Sequence, residues 1–158
     1  MSQAHRVVTC DRPHDAEAWF ELAIALVQGA CDRAGVDCGA EDSGSPFCRL
    51  EEAIFCFARA IREDEEAATV SAAAAKMRSI AAAPTISAHA SARDGVQVGG
   101  TLPVERRRRL SQARCNLAGL MVRVRANFAD AEAQCRLVLR NDPLHPQAHF
   151  MVGALIEV

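Results

Sequence analysis

The sequence has few aromatic residues and little that favours β-structure. Its 158 residues include no Tyr and only one Trp, whereas alanine is abundant and β-branched residues are sparse. Alanine loses no side-chain entropy when it enters a helix, so this balance favours helices over sheets. Half of the residues are apolar, which argues against disorder throughout and suffices for one domain with a core.

Membrane and export signals are also missing. No apolar run approaches the roughly 18 residues of a membrane span, and the first residues lack the long apolar core of a signal peptide. None of the seven cysteines forms a Cys-x-x-Cys pair, and most lie in segments with helical periodicity. We interpret them as reduced packing residues and expect a cytoplasmic location, with nuclear and organellar locations left open.

Charge is distributed unevenly although the net charge is only −2. Residues 1–80 carry 8 basic and 14 acidic side chains, a net charge of −6, and residues 81–158 carry 10 and 6, a net charge of +4. The two halves could therefore attract each other or attract different partners.

Apolar residues that recur at intervals of three and four predict six helices. Residues 1–14 are interpreted as a lead-in, and Asp15 as the cap of the first helix. Segments rich in Gly, Pro and Ser predict two long loops, at 31–48 and 84–103. The expected helices cover about 15–29, 49–62, 67–82, 104–125, 128–140 and 146–157. The sequence thus predicts a single all-α domain over 1–158.

A repeated pattern connects the last helices. Gly153 lies 34 residues after Gly119, which equals the period of a tetratricopeptide repeat. Between them, Phe128 follows a turn, Ala131 continues the apolar stripe and Pro143 ends it. The first helices carry a similar pattern, and its packing positions are Trp19, Leu22, Ala23, Ala53, Phe57 and Ala60.

At these positions the chain resembles the tetratricopeptide repeat (TPR) family. The resemblance implies antiparallel helical hairpins stacked as a short right-handed solenoid, in which small residues let helices approach closely. An aromatic residue near the turn, here Phe128, would close a hairpin. The expected loop at 31–48 departs from the family, where a tight turn joins the first two helices.

The resemblance implies a protein–protein interaction module or scaffold subunit that binds a peptide or helix of a partner and catalyses nothing. Such a groove is lined by the first helix of each hairpin. One subset of the family grips a carboxylate with Lys, Asn and Arg, but only Asn116 is of a suitable type here, so we expect an apolar groove. The residues expected to face it are Phe20, Ile24, Asn116, Leu120, Phe150 and Leu155.

Two interpretations of the last helix stay open. Its large apolar residues, Phe150 and Leu155 among them, could contact a partner or a second copy of the chain. Alternatively, the helix completes the local core.

The run Arg106, Arg107, Arg108 and Arg109 is the most conspicuous charge pattern. Successive helical residues turn by about 100°, so the four surround a helix. They could contact a partner, serve as a nuclear-import signal, or make the chain an RNA-associated protein that uses its Arg-rich C-terminal half. Stacking aromatics are missing nearby, which favours a solvated face or ion pairs to the acidic half.

Metal-binding and catalytic patterns are weak. His145 and His149 are four residues apart, but Pro146 assigns His145 to a helix cap. Cysteines across the first loop have irregular spacing for a zinc site. Glu51, Glu52 and the run from Glu63 to Glu66 are interpreted as solvated helix faces. We therefore expect no metal, no cofactor and no enzymatic activity.

Overall fold

The computed structural model describes residues 13–31, 46–81 and 103–156, which form five α-helices and no strand. The helices are α1 (Ala16–Cys31), α2 (Pro46–Ala81), α3 (Val104–Arg125), α4 (Phe128–Asn141) and α5 (Pro146–Ile156). This confirms the all-α class. Expectations for 1–12, 32–45, 82–102 and 157–158, and with them most of both loops, lie outside the described residues.

Each helix packs against a helix adjacent in the sequence, and α3 also contacts α5. One core cluster joins α1, α2 and α3 around Trp19, Phe57 and Leu117. A second, smaller cluster joins α3, α4 and α5 around Cys115, Cys135 and Ala148. Helix α3 contributes to both clusters and therefore lies at the centre of the packing.

Helix α1 begins as the sequence predicts. The Asp15 carboxylate accepts hydrogen bonds from the backbone N–H groups of Glu17 and Ala18, at 3.0 and 3.3 Å, which confirms the cap. Trp19 is buried and its indole Nε1 donates to the Pro13 carbonyl oxygen at 3.0 Å. The indole thereby anchors the segment that precedes the helix.

The prediction of six helices is wrong, because the second and third form one continuous helix, α2, of 36 residues. It begins at Pro46, inside the expected loop, and passes through the acidic run at 63–66 without a break. No Gly or Pro interrupts residues 47–81, and the chain there is rich in good helix formers. Glu63 and Asp64 are buried against cations, so their charges do not end the helix.

The C-terminal part of α2 carries little buried surface. No side chain described from Glu65 onward in this helix is buried, and Val70, Met77 and Ile80 are about two-thirds or more exposed. The alanine-rich segment that we expected to form a separate helix at 67–82 instead continues α2 into solvent.

The turn between α3 and α4 is tight. Ala126 takes a left-handed conformation, with φ of 49°, and the Asn127 N–H donates to the Met121 carbonyl oxygen at 3.2 Å. The Asn127 side chain then caps α4 by accepting from the Asp130 N–H at 3.2 Å. Phe128, expected to close this hairpin, is 38% exposed, because the cap places it at the rim of the helix pair.

Three of the cysteines lie in the core. Burial raises the pKa of the Cys56 thiol to about 12 and that of Cys115 to about 11, and it also raises the pKa of Cys135. Cys31 and Cys48 are exposed. A raised thiol pKa leaves less of the nucleophilic thiolate at neutral pH.

We therefore predict that iodoacetamide at about pH 8 modifies Cys31 and Cys48 readily and leaves Cys56, Cys115 and Cys135 largely unmodified. Peptide mass spectrometry at a series of times gives the rate at each residue. Modification in denaturant is the control and should bring all five rates close together. Fast native modification of Cys115 would contradict the packing of α3 against α4.

Candidate interaction site

A groove of about 490 Å³ opens between α1, α3 and α5. Its apolar lining includes Ile24 and Val27 from α1, Leu120 from α3 and Met151 from α5. Its polar lining consists of two glutamines, one asparagine and one arginine: Gln28, Gln147, Asn116 and Arg123. No carboxylate stands among the described residues that line it, and these make the groove apolar with a slightly positive border.

The structure brings together only some of the residues expected to face a partner. Ile24, Asn116 and Leu120 line the groove. Phe20 instead packs edge-on against the buried Phe57, with ring centroids 5.8 Å apart. It therefore belongs to the core shared by α1 and α2, because its ring reaches across that helix pair.

The residues expected at repeat packing positions also divide into two groups. Those that are buried are Trp19, Leu22, Ala23, Ala53, Phe57, Ala60 and Ala131. Pro143 and Gly153 are exposed, and Gly119 is partly exposed. A Cβ atom added at Gly119 or Gly153 would meet nothing within 4 Å, so the close helix approach expected at these glycines is wrong. Gly119 lines the groove, and its lack of a side chain widens the opening.

For helix α5 the structure supports the interpretation as part of the local core. Ala148 is buried, and Met151, Val152 and Leu155 pack against the second core cluster, so the helix completes the local core. Leu155, which we expected to face a partner, is thus partly buried against this cluster. Phe150 lies on the outer face and is 75% exposed.

The four arginines of the run point in different directions around helix α3. Arg106 and Arg109, three residues apart, face α2, where Asp64 is 1% exposed. Arg106 Nε lies 3.1 Å and Arg109 Nη2 lies 2.9 Å from Asp64 Oδ1, and Arg109 Nη1 reaches Glu17 at 3.2 Å. The hydrogen bond to Asp64 raises the pKa of Arg109 above its ordinary value. Arg107 and Arg108 point away from this cluster and are exposed.

Other arginines of the C-terminal half also pair with carboxylates. Arg125 binds Glu51, and this hydrogen bond lowers the pKa of the Glu51 carboxyl. Arg114 is buried and contacts Glu65 and Gln134. The interpretation of the acidic residues as solvated is thus wrong for Glu63 and Asp64, which balance cations from α2 and α3.

No metal site is found among the described ranges, where no three His, Cys, Asp or Glu residues converge. His145 accepts from the Ala148 N–H through Nδ1 at 3.3 Å, which confirms its role as a helix cap. His149 lies exposed beside the Pro143 carbonyl oxygen, 2.7 Å from its Nε2. None of the five helices combines the length and apolar character needed to cross a membrane.

The chain matches no protein-family model, no curated protein and no solved structure.

Asp64 offers a direct test of how α2 and α3 are joined. Asp64→Ala leaves Arg106 and Arg109 without their buried partner, and breaking a buried ion pair is strongly destabilising. We predict that the free energy of unfolding falls by about 2 kcal/mol or more, measured by urea denaturation. The matched control, Glu66→Ala, removes an exposed carboxylate two residues away and should change this value by less than about 0.5 kcal/mol. Similar losses for both variants would contradict the assignment.

Proposed function

We propose that this chain is a non-catalytic TPR-like interaction module whose groove binds an amphipathic peptide or helix of a protein partner. The groove between α1, α3 and α5 carries the proposal. Its apolar residues come from four helices, since Phe57 of α2 also lines it, and its amide side chains can hydrogen-bond to a peptide that lies across them. The packing of each helix on its sequence neighbours supports the resemblance to stacked hairpins.

The composition of the groove supports a peptide rather than a small substrate. The described residues of its lining include no carboxylate and no histidine, and their one thiol, Cys115, has a raised pKa. Apolar side chains of a partner would gain roughly 1.5–3 kcal/mol each when they leave water.

The alternative, an RNA-associated protein, has less support. Five arginines of the C-terminal half form ion pairs with carboxylates: Arg106, Arg109, Arg114, Arg125 and Arg136. An arginine that already holds a carboxylate must give up this partner to bind a phosphate.

Gly119 allows the groove to be closed without disturbing the core. A side chain at this position points into open space, so Gly119→Trp should fill the groove while the fold is kept. We predict that peptides selected from a random displayed library on the full chain lose at least tenfold in affinity for Gly119→Trp. Isothermal titration calorimetry measures this loss.

Two control variants accompany the test. Ala133→Trp adds the same bulk at an exposed position of α4, away from the groove, and Gly119→Ala adds only a methyl group. Both should keep the wild-type affinity, and circular dichroism establishes folding for all three. Peptides that bind Gly119→Trp as well as the wild type, or a library that yields no binder, would overturn the proposed function.

A further inference from the structure

A second pocket, of about 520 Å³, lies between the start of α3 and the turn that joins α4 to α5. Arg107, Arg108 and Ser111 line it from α3, and Gln147 lines it from α5. Asp142 is the only acidic residue among the described residues that line it. With two arginines against one aspartate, and histidine counted as neutral, the lining carries a net charge of +1.

The two arginines of this basic pocket differ from their neighbours in the run. Arg106 and Arg109 are held by Asp64, whereas in the described part of the chain no carboxylate pairs with Arg107 or Arg108. A guanidinium group presents donors in a planar fork that matches the oxygens of a carboxylate or phosphate. Arg107 and Arg108 therefore retain their donors for a ligand.

Ser111 adds a hydroxyl donor to the basic pocket. It is only 8% exposed and lines the basic pocket, yet across the described ranges its hydroxyl makes no hydrogen bond. The hydroxyl is therefore free to donate to a group that enters the pocket. An acceptor oxygen bound in the pocket would satisfy this donor.

The N-terminus of α5 faces the same pocket. Pro146 has no N–H group and the Ala148 N–H donates to His145, but the Gln147 N–H has no acceptor within the described residues. A helix N-terminus attracts negative charge through such unpaired N–H groups and through the helix dipole. The pocket thus combines two guanidinium groups, a hydroxyl and a backbone amide, all of which are donors.

An amide network joins the basic pocket to the groove. Gln112 lines the pocket, and its Nε2 donates to Asn116 Oδ1 at 3.1 Å and to Gln147 Oε1 at 3.4 Å. Asn116 and Gln147 also line the groove. A peptide segment in the groove could therefore extend across these amides and reach the arginines.

We propose that the basic pocket binds an oxyanion group, a carboxylate or a phosphate, on the same partner segment whose apolar side chains occupy the groove. This inference rests on the proposed function for the groove and narrows the partner to an acidic amphipathic peptide. The apolar residues would supply most of the affinity, and the oxyanion would fix the direction in which the peptide lies.

Titration of the full chain with inorganic phosphate and, separately, with acetate tests the pocket directly. Chloride keeps the ionic strength constant, and the backbone amides of Ser111, Gln147 and Ala148 are followed by NMR. We expect saturable shifts. The double variant Arg107→Gln/Arg108→Gln should weaken binding at least tenfold, whereas Arg62→Gln/Arg140→Gln, which removes two other exposed arginines, should bind like the wild type.

The two anions distinguish the sources of the oxyanion. Tighter binding of phosphate points to a phosphorylated residue of the partner, and tighter binding of acetate points to Asp or Glu. Shifts that do not saturate, or that are equal in the two double variants, would overturn the inference.

The Gly119→Trp variant separates this inference from the proposed function. It closes the groove without contact to Arg107 or Arg108, so its titration with the tighter-binding anion should match that of the wild type. Loss of anion binding while groove peptides still bind would overturn the proposed role of the basic pocket and leave the proposed function of the groove intact. Anion binding without any groove peptide would overturn the proposed function and its link to the pocket.

A separate selection tests whether one peptide segment occupies both the groove and the basic pocket. Peptides selected on the wild type should carry more acidic residues than peptides selected on Arg107→Gln/Arg108→Gln. Equal acidic content would contradict the idea that one segment occupies both sites.

Discussion

The buried carboxylate of Asp64, held by Arg106 and Arg109, determines how the described helices fit together. It lies in the middle of α2 and fixes the rotation of α3, because a buried charge stays stable only while its partners remain in place. Helix α3 contributes to both core clusters, so its rotation also determines where α4 and α5 pack. Ion pairs within the molecule therefore neutralise part of the acidic excess of the first half and part of the basic excess of the second half.

The same rotation links the fold to the two candidate sites. With Arg106 and Arg109 directed to Asp64, Arg107 and Arg108 turn toward the start of α5, where the basic pocket forms. Asn116 and Leu120, one and two turns after Gln112 on α3, then face the groove. One helix therefore presents an ionic face to α2 and lines both candidate sites with its other side chains. The four arginines of the run have different roles because an α-helix turns successive residues in different directions.

Local patterns predicted much of this structure. The Asp15 cap, the burial of Trp19 and the extents of α3, α4 and α5 follow from apolar spacing and cap residues, which depend on neighbours a few positions away. The course of α2 could not be predicted in this way. The partners of Asp64, Arg106 and Arg109, lie 42 and 45 residues further along the chain. Without knowledge of these partners, the acidic run resembles an exposed break between two helices. The role of Gly119 could not be predicted from the sequence either. A small residue permits close helix packing, but the positions of the neighbouring helices decide whether it opens a groove instead.

A double-mutant cycle between Asp64 and the arginines tests whether their ion pairs fix the rotation of α3. Unfolding free energies of Asp64→Ala, Arg109→Ala and the combined variant give the coupling between the two side chains, and Arg107→Ala in place of Arg109→Ala gives the comparison. We expect a coupling free energy of about 1 kcal/mol or more between Asp64 and Arg109, and one close to zero between Asp64 and Arg107. Equal couplings would show that the run acts as a diffuse positive charge, and the assigned rotation of α3 would be wrong.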